Sequence, residues 1–238
     1  MIDQPQKYYK SDSTKVTFHE YWHSKFSRPR VVLAFLFKIF GIRLSVHRNI
    51  PWPLRLRDSM VNGEDVSPSA KEKLAPMLEE CKQLGFVILC HQKIKNHFAP
   101  SDILIVSLLH AKKDIAARIF SLQVVIRKTT QEHVHCFMES WLNNGVFLLT
   151  SNSNQKLVLD NPPEQDVLRL VNAPPKALFE AHTKRLEQCA GSNPPRLIHC
   201  LEDFEKMADA LEESGVRFNI RRGVFAEMTP QEIEAAKK

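Results

Sequence analysis

The sequence predicts an α+β fold: an antiparallel β-meander of about five to six strands, an ordinary sheet size, with helices packed against it. Three observations carry that expectation. Phe86 to Ser151 is a succession of apolar runs of strand length with very short connections. Asn143-Asn144-Gly145 stands where a hairpin turn is needed. Apolar stripes of helical period, with their own start and stop residues, flank this stretch on both sides.

Phe86-Val87-Ile88-Leu89-Cys90 opens the series directly after Gly85. Ile103 to Leu109 is apolar on both faces, and its length and β-branched content favour a central strand over a buried helix segment. Only Ala111 to Asp114 separate it from the run Ile115 to Ile126, which predicts a hairpin. In the fourth run, Gln131 to Trp141, the even positions include Val134, Cys136 and Met138, and the odd ones His133, His135, Phe137, Glu139 and Trp141. Side chains alternate along a strand, so the even face is expected on the core and the odd face partly wet. Asn and Gly tolerate the positive φ of tight hairpin turns, and Asn143 to Gly145 lead into Val146 to Leu149. Connections this short dictate antiparallel pairing, because a parallel pair needs a long crossover. Lys156 to Leu159 is expected to add a short edge strand.

The helices follow from caps and periodicity. Ser67 is placed as an N-cap with Pro68 at the first helical position. The stripe Leu74, Met77, Leu78, Cys81 and Leu84 then runs to Gly85, a natural helix stop, with Pro76 kinking the helix or delaying its start. Beyond the sheet, Pro162-Pro163 and Pro174-Pro175 bracket a connector containing Val167 to Val171. Pro174-Pro175 introduce a helix from Lys176 to about Cys189, with Leu178, Phe179, His182 and Leu186 inward. Leu201 to Ser214 is the next helix, with Phe204, Met207, Ala208 and Leu211 on one face and Gly215 as its stop. Val216 to Ile220 alternates and reads as a strand, extended by Val224 to Met228. Thr229 and Glu232 form a capping box for a terminal helix. Gly191-Ser192-Asn193-Pro194-Pro195 is the clearest punctuation. The expected organisation is therefore an amino-terminal segment, 1–60, a helix–sheet–helix core, 61–190, and a carboxyl-terminal extension, 191–238.

Charge is unevenly distributed. The net charge is +6, yet residues 1–60 alone hold 11 Lys and Arg against 4 Asp and Glu. All three Tyr, two of three Trp and five of 14 Phe fall in the first 52 residues. The amino-terminal quarter is basic and aromatic while the remainder is close to neutral, a pattern that points to a partner for that quarter. Within it, Phe18, Tyr21, Trp22 and Phe26 share one helical face, and Val31 to Ile42 is the most apolar stretch in the chain, with Lys38 its one charge. A bilayer span needs about 20 residues, so this stretch is too short to cross. Two readings remain: a buried core helix, or an interfacial helix in which Phe35, Phe37 and Phe40 enter an apolar surface while Arg28, Arg30, Lys38, Arg43 and Arg48 reach anionic groups.

Chemistry-bearing residues are sparse. Gly is scarce, at 7 residues, which disfavours a Gly-rich phosphate loop. The five cysteines form no C-x-x-C, and their odd number and apolar settings point to a reducing, cytoplasmic compartment. Cys81, Cys90 and Cys136 read as core residues more than nucleophiles. Ser107 and Ser121 lack the context of a nucleophile elbow. His133 and His135 lie on one strand face and form a weak metal pair; His91, His97 or His110 are needed to complete a set. With Trp141 the same two histidines outline a candidate ligand pocket. Arg217, Arg221 and Arg222, joined by Arg55 and Arg57, form a basic group able to meet phosphates. No metal or other cofactor is expected. The leading expectation is a non-enzymatic cytoplasmic binding or scaffold protein, peripheral at the membrane, whose amino-terminal segment docks on an anionic membrane surface or a protein partner. A ligand-binding or enzymatic sheet face is the second reading, and nucleic-acid binding the third.

Overall fold

The strand-length runs and short turns of the central stretch build one sheet. A computed structural model describes residues 7–22, 36, 38, 39, 50–52, 55–95, 102–126, 129–153 and 159–236. In chain order the elements are β1 (Lys7–Ser11), α1 (Phe18–Trp22), β2 (Ile50–Trp52), β3 (Met60–Val61), α2 (Pro68–Gln83), β4 (Phe86–Lys95), β5 (Asp102–His110), β6 (Ala116–Ile126), β7 (Thr129–Trp141), β8 (Phe147–Ser151), β9 (Gln165–Arg169), α3 (Pro175–Ala190), α4 (Leu201–Arg221), β10 (Phe225–Glu227) and α5 (Pro230–Ala236). The chain divides into two compact units, a larger one of Arg55–Asn154 and Pro163–Leu211, and a smaller one of Met1–Leu54, Gln155–Pro162 and Glu212–Lys238.

The larger unit is a seven-stranded sheet in the order β3-β4-β5-β6-β7-β8-β9. The fold class is α+β, and every pair up to β7–β8 is antiparallel, as the short connections dictate. Gly145 takes a φ of 90° after the Asn pair, and Leu142 closes the hairpin by donating to the Val146 carbonyl at 2.8 Å. The segment read as a connector is in fact a strand: β9 pairs with β8 in parallel. Residues 152–164 form the crossover this needs, and 155–162 of it belong to the smaller unit. The edge strand expected at Lys156 to Leu159 falls largely outside the described residues.

Both faces of this sheet carry apolar cores. Val106, Leu108, Ile119, Cys136, Met138 and Leu148 meet Leu74 and Cys81 of α2 and Leu178 and Leu186 of α3. On the opposite face Leu109, Ala116, Phe147 and Leu149 meet Phe204, Met207, Ala208 and Leu211 of α4. The even positions of β7 therefore face the core. The odd face is drier than the alternation suggests, because Glu139 is buried there. Ser67 caps α2 through its Oγ, which accepts from the Ala70 amide at 3.3 Å, and the helix continues through Pro76 to Gly85, where φ is 91°.

In the smaller unit, β1 lies between β10 and β2, both antiparallel to it. Val216 to Ile220 is helical, not extended: α4 runs through Gly215 to Arg221. The pattern Val216-Phe218-Ile220 satisfies strand alternation, but Val216 and Ile220 are also four apart. That helical spacing delivers both to a core with Tyr9, Val16, Val224 and Phe225. The helix ends one turn later in a Schellman motif. Gly223, at a φ of 72°, donates to the Ile220 carbonyl at 2.9 Å, and Val224 donates to the Asn219 carbonyl at 2.9 Å. The capping box of α5 forms as expected, with Thr229 N on Glu232 Oε2 at 2.9 Å and Glu232 N on Thr229 Oγ1 at 3.3 Å.

A Cβ at Gly223 meets Lys15 Cγ at an ordinary 3.7 Å, so the cost of substitution is backbone strain alone. Gly223→Ala is expected to lower the unfolding free energy by about 1–2 kcal/mol, the penalty of a left-handed residue with a Cβ, as read by urea denaturation.

Candidate functional site

Strand alternation places His133 and His135 on one face of β7, and their rings stack in parallel with centroids 6.0 Å apart. Together with Val134 they line a cleft of about 470 Å³ whose other walls are Pro76, Met77 and Glu80 of α2 and the Asn152 and Asn172–Pro175 segments. Asn152 shapes its floor. Its Oδ1 accepts from the Cys136 amide at 2.7 Å and its Nδ2 donates to the Ala173 carbonyl at 3.0 Å, so one side chain ends the β7–β8 ladder and holds the approach to α3. Glu80 accepts from the Lys176 amide at 2.9 Å, at the start of α3.

Trp141 is not part of this cleft. It lies six residues from His135 along the strand, a separation of about 20 Å at ~3.3 Å per residue. Its ring stacks on Phe147 at 5.3 Å and is covered by the Arg196 guanidinium at 3.8 Å. Among the described residues the other histidines do not complete a metal set. His91 is in register with Val106, and Ile119 and Cys136 continue that row across β6 and β7, which places it on the face opposite His133 and His135. His110 lies between the rings of Phe86 and Phe179, at 5.1 and 5.0 Å. His97 is outside the described residues. Among the described residues no three His, Cys, Asp or Glu side chains come together to hold a metal ion.

The five cysteines are free thiols. The adjoining Cys81 thiol, together with burial, pushes the Cys136 thiol well up, and burial raises Cys90, so both remain protonated and unreactive. Ser107 and Ser121 are buried in the sheet.

The most elaborate polar arrangement is one the sequence only half discloses. His182 lies on the inward face of α3 and is wholly buried. Its Nε2 is 3.0 Å from Ser140 Oγ and its Nδ1 is 3.0 Å from Thr150 Oγ1. Ser140 spends its one hydrogen on the Asp114 carbonyl at 2.6 Å, so it accepts from His182 Nε2–H. Thr150 accepts from Arg185 Nη1 at 2.8 Å and is left to donate to His182 Nδ1. Every donor and acceptor is matched by a neutral imidazole. Burial, with the Arg185 charge adding to it, lowers the His182 pKa to about 3. Ser140 and His182 are thus an interlock of α3 with β7 and β8, not a nucleophile and base, since the serine proton points away from the imidazole.

Two further buried ion pairs are structural in the same way. Arg118 on β6 grips Glu139 on β7, Nε at 2.8 and 2.9 Å from the two carboxylate oxygens and Nη2 at 2.7 Å from Oε1. In the smaller unit Glu20 caps α1, accepting from Thr17 N at 2.6 Å, Asp160 N at 2.8 Å and Arg222 Nη2 at 2.7 Å. Burial pushes this carboxyl up, but the two amides and the guanidinium outweigh it and hold it below its usual range.

Of the residues expected to meet a membrane or partner, Arg28, Arg30, Phe35, Phe37, Phe40, Arg43 and Arg48 lie outside the described residues. Lys38 is helical, and its Nζ donates to the Val16 carbonyl at 2.7 Å. The basic groups suggested for phosphates have other company: Arg57 forks onto Glu205 at 3.0 and 2.9 Å, Arg217 pairs with Glu213, and Arg222 pairs with Glu20.

Comparison of the chain with protein-family models, with curated proteins and with solved structures finds no match.

The His182 interlock has a pH signature. Above pH 6.5 the imidazole is neutral folded or unfolded; below it the unfolded chain takes up a proton that the folded chain refuses until about pH 3. Stability therefore falls as pH drops through this window, by up to about 1.4 kcal/mol per unit from this group. The stability advantage of the wild-type chain over His182→Gln is expected to shrink between pH 7 and pH 4 in urea unfolding.

Proposed function

We propose that this protein is a non-enzymatic docking protein whose smaller unit seats on an anionic membrane surface through the helical residues around Lys38. The observation that carries this reading is the orientation of three side chains. Leu36 and Ile39, three apart on a helix, are 42% and 63% exposed, while the intervening cation Lys38 bonds the Val16 carbonyl. An ordinary surface helix turns its cation out and its leucine in; here the arrangement is reversed. Apolar groups facing outward, in a segment of residues 1–60 holding 11 basic against 4 acidic residues, match the two requirements of interfacial binding: buried apolar area and attraction to anionic headgroups. Among the described residues no helix is long and apolar enough to cross a membrane.

The larger unit supports a binding role over a catalytic one. His182 and Glu139 are each held by structural partners, and Glu80, which lines the His133–His135 cleft, accepts from the Lys176 amide.

The test is co-sedimentation of the full chain with neutral vesicles and with vesicles containing anionic lipid. Burial of one Leu or Ile is worth about 1.5–3 kcal/mol, so the double variant Leu36→Asp/Ile39→Asp is expected to partition onto anionic vesicles about a hundredfold less, with its far-ultraviolet circular dichroism unchanged. Failure of the wild-type chain to bind, or equal binding by the folded variant, contradicts the proposal and turns attention to a protein partner.

A further inference from the structure

We propose that the edge of β7 beside the His133–His135 cleft takes up an extended peptide as an added strand. The argument begins with the ladder. Cys136 accepts from Asn152 N at 3.2 Å, and Leu142 donates to the Val146 carbonyl at 2.8 Å, so the even residues of β7 turn their backbone groups toward β8. The register Phe137↔Ser151 is the last of the β7–β8 ladder. There the Asn152 side chain takes the Cys136 amide, and the Asn152 carbonyl accepts from the Asn172 amide at 3.1 Å, so the backbone of β8 does not continue along β7. β7 itself extends back to Thr129. Val134 and Glu132 continue the even series, and their N–H and C=O groups point to the side β8 has left. Among the described residues no strand pairs with them there. The odd residues serve β6 on the other side, through the register Ser121↔Val134 and its neighbours.

The cleft lies along this edge. His133, Val134 and His135 all line it, although their side chains alternate between the two faces of the sheet, so what they share with it is the strand edge. At about 470 Å³ it is within the range of ligand-sized clefts. Three of its residues are prolines, Pro76, Pro174 and Pro175, which offer no backbone N–H, leaving the strand edge as its principal source of backbone hydrogen bonds. Main-chain pairing to a sheet edge is a recurrent way of holding an extended peptide, with alternate side chains read on the two sides.

Those sides differ. A peptide residue opposite Val134 projects toward Met77 and Pro76 and is expected to be apolar. Its neighbours project toward the face that carries His133, whose ring can donate to acceptors such as carboxylates. The occupant is therefore an extended segment alternating β-branched apolar and acidic residues. In this arrangement the amides of the apolar residues point at β7.

The experiment is fluorescence anisotropy with full-length protein and a fluorescein-labelled probe, acetyl-Val-Glu-Val-Glu-Val-amide. Saturable binding is expected, weakened about tenfold or more when the valine nitrogens are methylated, since each lost backbone hydrogen bond removes roughly 0.5–1.5 kcal/mol. Val134→Pro, which deletes an outward N–H without touching the β6 ladder, is expected to weaken the unmodified probe similarly. The methylated probe needs no variant, so the comparison stands even if Val134→Pro fails to fold. Absence of saturable binding, or equal affinity of the methylated and unmodified probes, overturns the proposal.

Discussion

The larger unit depends on how α3 is fastened to the sheet. Apolar contacts from Leu178 and Leu186 press the helix onto β7 and β8, but such contacts are non-directional and do not fix its register. His182 and Arg185 do. The imidazole bridges Ser140 on β7 and Thr150 on β8. The guanidinium, one turn on, reaches the Leu149 carbonyl at 2.7 Å and both the carbonyl and a carboxylate oxygen of Asp166 on β9 at 2.9 Å. Two side chains thus span three consecutive strands. The parallel pair β8–β9 lies at the sheet edge, where such a clamp matters most, because β9 has a partner strand on one side only. A buried polar set of this kind is stabilising only when complete, and here each hydrogen has one destination.

How much of this was legible in the chain follows from the range of each interaction. The meander was legible because it is local: alternation in β7, β-branched runs in β5, and a Gly where φ must be positive. The helix caps at Ser67 and Thr229 were legible for the same reason. β9 was not, because a parallel partner arrives through a crossover with no local signature, and two proline pairs made the segment read as a linker. Val216 to Ile220 satisfied two periods at once. A core assembled from Tyr9, Val16, Val224 and Phe225, distant in sequence, decided for the helix. Glu139 looked wet because its partner Arg118 lies on another strand. The helical stripe Leu178, Phe179, His182 and Leu186 puts His182 inward, where the structure has it, but Ser140 and Thr150 carry no mark of their role. The polar run Thr150-Ser151-Asn152-Ser153, following directly on an apolar strand, was the one available hint. For the candidate site, the shared face of His133 and His135 follows from parity alone. Their separation from Trp141 follows from strand length, which parity ignores.

The buried ionisable groups and the surface features divide the labour. Inside, burial keeps His182 neutral, amides and a guanidinium hold the Glu20 carboxyl below its usual range, and Arg118 grips Glu139, so these groups serve the structure at the expense of chemical availability. Outside, two features lack that closure. Leu36 and Ile39 present apolar surface beside an inward-turned lysine. The β7 edge runs along a cleft rich in proline and histidine. The two proposals together describe an adaptor, with one surface for a bilayer and another for an extended peptide.

The central claim is that docking uses the smaller unit and leaves the body of the larger one unchanged. Amide hydrogen exchange of the full chain, read by mass spectrometry with and without anionic vesicles, tests it most directly. The account predicts slowed exchange in peptides containing Leu36 to Ile39, and unchanged exchange across β4 to β8 and α3. Unchanged exchange at Leu36 to Ile39, or slowing centred on the sheet, contradicts it.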